Sequence, residues 1–303
     1  MNRRQNSANR RLARAAADPA LIRDAAELVA MAIREDVGPG DLTSRVCLPR
    51  GKMSAAEIVA RQSGTLAGLW VVGLVYAALG DTVTVEAKAG EGEAFREGQV
   101  LAVACGPVDR ILTGERTALN FLQRLSGVAT MTSRFVDAVF GTVAAICDTR
   151  KTTPGWRRLE KYAVLCGGGT NHRMGLYDEL LIKDNHLALA GKDIATVVAE
   201  ARSEIGPDTI IEVEVDTLEQ LEAVLPLPVD RVLLDNMPAD LMRRAVAMRD
   251  AAGRGGQPLL EASGGITLQT VRAAAETGVD RISIGALTHS APAVDIAMDV
   301  HLD

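Results

Sequence analysis

Apolar positions along this chain change rhythm near its middle. Over residues 20–36 they recur at helical spacing (Leu21, Ile22, Ala25, Leu28, Val29, Ile33), which predicts an amphipathic helix. The punctuated stretch EDVGPGDLTS (35–44) predicts a turn, with Asp41 or Thr43 placed to cap whatever follows. Residues 55–63 and 82–105 alternate as strands do, around an apolar helix expected at 68–79. From about residue 144, short apolar runs recur as AAICDTR, ELLIKDN, TIIEVEVD, RVLLDN, PLLEASGG and RISIGA. Each is followed by a helical or loop segment such as TLEQLEAVL, which predicts parallel βα units.

Polar residues gather at the C-terminal ends of these runs: Arg150 and Lys151, Lys183, Glu214, Asp235, Ser263 and Gly285. Convergence of every strand end on one centre favours a barrel over an open doubly wound sheet, although both bind ligands at strand ends. Eight βα units take about 250 residues and about 150 remain here. The expectation is therefore an α/β chain with an incomplete βα barrel of six or seven strands, preceded by a smaller α/β sandwich domain. The boundaries expected are a flexible basic tail at 1–19, the sandwich domain at 20–128 and the barrel catalytic domain at 129–288. A C-terminal segment at 289–303 is expected to pack back on the N-terminal domain.

Charge sharpens this picture. The 303 residues carry a net charge of −6, which argues against the broad basic surface that nucleic acid requires. Yet DTRKTTPGWRRLEKYAVLCGGGTNHR (148–173) concentrates Arg150, Lys151, Arg157, Arg158, Lys161, His172 and Arg173 against Asp148 and Glu160 alone. A cationic cluster in an acidic chain suits a small, highly charged anion. Four well-separated cysteines form no C-x-x-C pair and read as reduced intracellular thiols. Four histidines show no metal-binding spacing. The N-terminus has five arginines before Asp18 and no apolar core of the signal-peptide kind. The uncharged run GTLAGLWVVGLVYAALG (64–80) is too short and glycine-rich for a membrane span and reads as a buried helix. A cytoplasmic protein is expected.

Glu212, Glu214 and Asp216 alternate with valines, so the three acids share one strand face. Acids facing a barrel interior are costly unless they bind cations, hydroxyls or metal. The DNH at 184–186 and DNM at 235–237 fit Asx turns, but their position at strand ends also suits a site. Glycine-rich pieces occur at CGGGT (166–170), ASGGI (262–266) and SIGALTH (283–289). The last two fall where βα barrels place phosphates, between late strands and the helices after them. Upstream, AGEGEAFREGQVLAVACG (89–106) resembles the small β-sandwich of biotinyl and lipoyl carriers. Lys88 precedes that glycine pattern without a hairpin context and is assigned no chemistry.

The long cationic stretch, followed in order by LIKDNH, IEVEVDTLEQ, LLDNM, EASGGI and IGALTHS, closely resembles the quinolinate phosphoribosyltransferase family, also called nicotinate-nucleotide pyrophosphorylase (carboxylating). Upstream, EDVGPGDLTS and GERTALNFLQRLSGVAT extend the resemblance over roughly residues 25–303. Trp156 departs from it, standing where a smaller aliphatic residue is expected. The resemblance implies a pentosyl glycosyltransferase that converts quinolinate and phosphoribosyl pyrophosphate to nicotinate mononucleotide, pyrophosphate and carbon dioxide in NAD biosynthesis. It also implies magnesium and a homodimer. By the same resemblance, Arg150, His172 and Arg173 hold the pyridine dicarboxylate, Thr149 belongs to the substrate-binding set, and Lys151 and Lys183 lie where carboxylate and pyrophosphate meet. Glu214 and Asp235 match positions that take ribose hydroxyls or magnesium, directly or through water or substrate. Lys151, Lys183, Glu214 and Asp235 form the implied catalytic set. Ser263, Gly264, Gly265 and Gly285 match a 5′-phosphate cradle with His289 nearby, and Arg116 matches an arginine donated by the other subunit. A relative associated with molybdenum transport shares the RKT…HR core but lacks an intact LIKDNH, and a non-catalytic phosphate-binding module would gain nothing from Glu214 and Asp235.

Overall fold

A computed structural model describes residues 18–49 and 51–301, together with Leu12. The basic tail expected over 1–19 lies outside the described residues except at Leu12, Asp18 and Pro19. The chain forms two compact units. The first gathers residues up to Ser133, Thr152–Gly168 and the segment from Ala286 onward; the second holds Arg134–Lys151 and Gly169–Gly285.

In the first unit, helix α1 (Pro19–Asp36) starts where Asp18 accepts the Ala20 N–H at 3.0 Å and Pro19 presets the first turn. It buries Leu21, Ala25 and Val29 along one face, as the helical spacing predicts. Gly38 and Gly40 take positive φ, and Asp41 caps the short α2 (Leu42–Cys47) by accepting the Ser44 N–H at 3.0 Å. The strands β1 (Met53–Ala60), β3 (Thr84–Ala87) and β5 (Val100–Pro107) form an antiparallel sheet. The C-terminal strand β12 (Ile296–Val300) completes that sheet, in the order β12-β1-β5-β3. A two-stranded ribbon joins β2 (Gly64–Thr65) to β4 (Ala94–Phe95).

The apolar run at 64–80 forms the buried helix α3 (Leu69–Ala78), and no helix among the described residues is long and apolar enough to cross a membrane. Helix α3 has no side-chain cap of its own. Instead, the Glu91 carboxylate from the β3–β4 connection accepts the Gly68 and Leu69 N–H groups at 2.8 and 2.7 Å. Gly68 sits at φ +88°, and a Cβ there would stand 2.5 Å from the Leu125 side chain. Leu125 belongs to α4 (Val108–Ala138), the long helix that carries GERTALNFLQRL. Lys88 pairs with Glu86 in an exposed ion pair.

In the second unit all six runs named above become strands. They are β6 (Ala145–Cys147), β7 (Leu180–Ile182), β8 (Ile211–Val215), β9 (Arg231–Asp235), β10 (Leu259–Ser263) and β11 (Arg281–Ser283). All ladders are parallel, in the order β6-β11-β10-β9-β8-β7. The first strand therefore pairs with the last, as barrel closure requires, while no ladder among the described residues joins β6 to β7. The ring is open at that point. A single parallel bridge of Thr170 with Cys147 stands beside β6, with the Thr170 N–H on the Ile146 carbonyl at 2.8 Å.

Candidate active site at the strand ends of the parallel sheet

Because the strands are parallel, their C-terminal ends share one edge of the second unit. Asp235 and Ser263 are register partners there, and Ile182, which precedes Lys183, pairs with Val213, which precedes Glu214. Thr149, Arg150 and Lys151 leave the end of β6, and Gly285 follows β11. Thus the sequence-derived residues Thr149, Arg150, Lys151, Lys183, Glu214, Asp235, Ser263, Gly264, Gly265 and Gly285 fall at one edge, joined by His172 and Arg173. Arg116 is exposed on α4 in the first unit. His289 ends a short helix (Ala286–His289) in that same unit and meets the Ser290 hydroxyl at 2.6 Å.

The loops are held by their own polar groups. The Thr149 hydroxyl accepts the Lys151 N–H at 3.0 Å, shaping the turn that carries Lys151. His186 Nδ1 accepts the Lys183 N–H at 3.0 Å, so the DNH motif caps helix α6 (Asp184–Ala190) while Lys183 sits at its entrance. The Lys183 ammonium pairs with the Glu214 carboxylate at 2.5 Å, and its side chain is 42 % exposed, within reach of a ligand. Gly264 and Gly265 have φ of +97° and +59°, and space is open where a Cβ of Gly265 would stand. Bare backbone at that turn suits close approach of a phosphate.

Arg173 provides the clearest electrostatic signal. Its pKa is lowered, first by burial and next by the positive charge of Arg150. Two guanidinium groups held close enough to oppose each other's charge favour an incoming anion.

Beneath Arg173 lies a buried cluster that sequence reasoning assembled only in part. His172 Nε2 stands 2.9 Å from Glu212 of β8 and 3.3 Å from Glu261 of β10, and Arg281 of β11 reaches the other Glu261 oxygen at 2.7 Å. Both carboxylates are closed off from solvent, at 1 % and 0 % exposure. The His172 N–H donates to the buried Asp148 carboxylate at 2.8 Å, and the Arg173 N–H donates to His172 Nδ1 at 2.8 Å. Burial alone would lower the His172 pKa, but the two carboxylates outweigh it and lift it to about 9. The Arg173 amide aimed at Nδ1 opposes a second ring proton, so it limits a rise whose direction the carboxylates set. Burial likewise opposes ionisation of Glu261, yet His172 and Arg281 hold its pKa down at about 2. Glu212 moves the other way, raised by burial and then by the charge of Glu261. His172 thereby ties the 171–173 segment to the barrel interior. The inward face of β8 pointed to Glu212; Glu261 and Arg281 went unread, although an acid inside LLEAS and an arginine opening RISIGA were the available signals.

The cationic stretch at 148–173 is divided. Arg157, Arg158 and Lys161 belong to helix α5 (Arg157–Cys166) of the first unit. Arg158 pairs with Asp24 at 2.9 Å, and Arg157 donates to the Thr152 hydroxyl at 3.0 Å. Glu160 is buried and accepts from Arg124 at 2.7 Å. Trp156 stacks on Phe121 at 4.7 Å, beside a cavity of about 270 Å³ lined by Leu28, Met31 and Asn120. In CGGGT, a Cβ at Gly167 would stand 2.4 Å from the Ala129 carbonyl, so this glycine serves close helix packing.

Residues 41–126 match the family described as Quinolinate phosphoribosyl transferase, N-terminal domain, and residues 128–299 match its C-terminal domain. The chain belongs to the quinolinate phosphoribosyltransferase family. A relative from Bacillus subtilis (strain 168), named probable nicotinate-nucleotide pyrophosphorylase [carboxylating], is 45 % identical over 88 % of this chain and 90 % of its own. The Mycobacterium leprae (strain TN) nicotinate-nucleotide pyrophosphorylase [carboxylating] is 42 % identical over 91 % of this chain and 97 % of its own. Among solved structures, the Francisella tularensis nicotinate-nucleotide pyrophosphorylase superposes with a TM-score of 0.85 at 34 % identity, covering 92 % of this chain and 96 % of that one. Family membership agrees with the open parallel sheet and the small antiparallel sheet described above.

Proposed function

We propose that this chain transfers the phosphoribosyl group of phosphoribosyl pyrophosphate to quinolinate with decarboxylation, giving nicotinate mononucleotide, pyrophosphate and carbon dioxide for NAD biosynthesis. The observation that carries the reading is the gathering of Arg150, Lys151, Arg173 and Lys183 at a strand edge that also presents Asp235 and Glu214, the latter paired with Lys183. Opposed guanidiniums fit a dicarboxylate, and acids beside them fit hydroxyls and a cation. A site for an anion alone needs only the first.

In the reaction the pyridine nitrogen bonds to the anomeric carbon as the bond from that carbon to pyrophosphate breaks, its electron pair leaving with pyrophosphate. Lys151 and Lys183 stabilise that departing charge. With the ring nitrogen quaternary, the adjacent carbon–carboxylate bond breaks, carbon dioxide leaves, and the ring carbon takes up a proton. No protein nucleophile is required. Arg150 and Arg173 orient the dicarboxylate, Thr149 shapes the turn that carries Arg150 and Lys151, and His172 fixes the loop of Arg173. Glu214 and Asp235 hold ribose hydroxyls. Ser263, Gly264, Gly265 and Gly285 receive the 5′-phosphate, and His289 stays in this set on resemblance. Glu214 and Asp235 are hard oxygen donors on neighbouring strands, which fits magnesium, an ion that takes one or two carboxylates and completes its shell with water and substrate phosphate. Magnesium there would neutralise pyrophosphate charge. The working form is proposed as a cytoplasmic homodimer in which Arg116 of each copy serves the other's site.

The test is turnover of quinolinate with phosphoribosyl pyrophosphate and magnesium, read as nicotinate mononucleotide. Nicotinate lacks the 2-carboxylate and would leave site cations unmatched, so it should be rejected by about 10⁴-fold or more in kcat/KM. Comparable turnover of the two acids would overturn the proposal.

A further inference from the structure

Asn236 follows Asp235 at the end of β9 and has φ +52°, one of two non-glycine residues with positive φ among those described. Asparagine enters that region at lower cost than most residues, yet the conformation still has to be held in place. Here it serves two neighbours. The Asn236 N–H donates to the Ser263 carbonyl at 2.9 Å, joining the end of β9 to the turn after β10. Its side-chain Nδ2 donates to Asp235 Oδ2 at 2.8 Å. The amide oxygen lies flush against Gly264, where a Cβ would stand 2.1 Å from Oδ1 and 2.5 Å from Cγ. A turn that only caps a strand needs the backbone bond alone; the side chain here also takes up one oxygen of an acid and fills the space under a glycine.

We propose that Asn236 is a positioning residue for phosphoribosyl pyrophosphate, locking the Asp235 carboxylate and the Ser263–Gly265 turn into one rigid piece. This rests on the assignment of those groups to the ribose and the 5′-phosphate made above. With Oδ2 taken by the amide, Oδ1 of Asp235 is left for a ligand. An aspartate at 236 would keep the shape but set a second carboxylate against the first, which explains an amide at this position. Gly264 is the complementary half of the device: its missing side chain makes room for the Asn236 amide.

The experiment compares Asn236→Asp, Asn236→Gly and Asp235→Ala with the unaltered protein. It reads KM for each substrate, and also direct calorimetric binding of phosphoribosyl pyrophosphate without quinolinate. Asn236→Gly removes the amide without backbone strain, so it stays informative if Asn236→Asp folds poorly. Losing a hydrogen bond to a charged group should weaken phosphoribosyl pyrophosphate binding by about tenfold or more in Asn236→Asp and somewhat less in Asn236→Gly. KM for quinolinate should stay within about twofold. If Asp235→Ala weakens binding but both Asn236 variants bind as the unaltered protein does, the inference is overturned and the site assignment stands. A parallel rise in both KM values with a lowered melting temperature would make Asn236 merely structural and also overturn it. If Asp235→Ala binds normally, the assignment of Asp235 fails and takes the inference with it.

Discussion

Arg173 and Lys183 reach the candidate site by opposite routes. Arg173 is held from below by His172 and crowded by Arg150, whereas Lys183 leans on Glu214 and is open to solvent. Removing either charge should cost about 1.5–3 kcal/mol of transition-state stabilisation, more where a buried partner is stranded. We therefore expect Arg173→Ala and Lys183→Ala to lose kcat/KM by at least tenfold while melting near the unaltered protein; near-normal kinetics in both would place the site elsewhere. Glu261 makes a different prediction. A carboxyl whose folded pKa lies near 2 instead of its ordinary 4.5 lends stability that is present above pH 4.5 and lost as pH falls toward 2. Thermal unfolding followed from pH 6 to pH 2 should drop less steeply in Glu261→Gln than in the unaltered protein. Equal slopes would mean that the carboxylate is not ionised against Arg281 and His172. The couplings of Glu261 were not legible in the sequence, because they join β10 to Arg281 of β11 and to His172 in a distant loop.

At the scale of elements, the strands of the second unit were legible because each is a short apolar run ending in a polar residue, and βα connections force them parallel. What remained hidden was support from a distance. Nothing near α3 announces that its N-terminus is capped by Glu91, some twenty residues along the chain, through the Gly68 and Leu69 amides. Neither does sequence proximity reveal that Arg150 and Arg158 serve different units. The cap carries its own prediction. Glu91→Ala should leave two helix amides without their acceptor and lower unfolding stability by about 1–3 kcal/mol, measured by denaturant titration. Glu91→Gln, which keeps an acceptor oxygen, should recover part of that loss. A fully stable alanine variant would show that water replaces the carboxylate at no cost.

For the whole molecule, the proposed exchange of Arg116 between copies is open to complementation. Arg116→Ala and Lys183→Ala proteins, each inactive alone, would be unfolded together in equal amounts and reassembled. Half of random dimers are hybrids with one intact site of two, so about a quarter of normal activity should return. Activity that stays at the level of the separate variants, with hybrids shown to form, would rule out sharing. The way the first unit is stitched from three stretches has a consequence for synthesis. The second unit is complete once Gly285 has emerged, but β1 waits for β12, more than two hundred residues later, to cover its outer edge. Throughout that interval the nascent chain carries a row of unsatisfied N–H and C=O groups, the kind of surface on which chains aggregate. Strand β12 closes the edge that β1 leaves open.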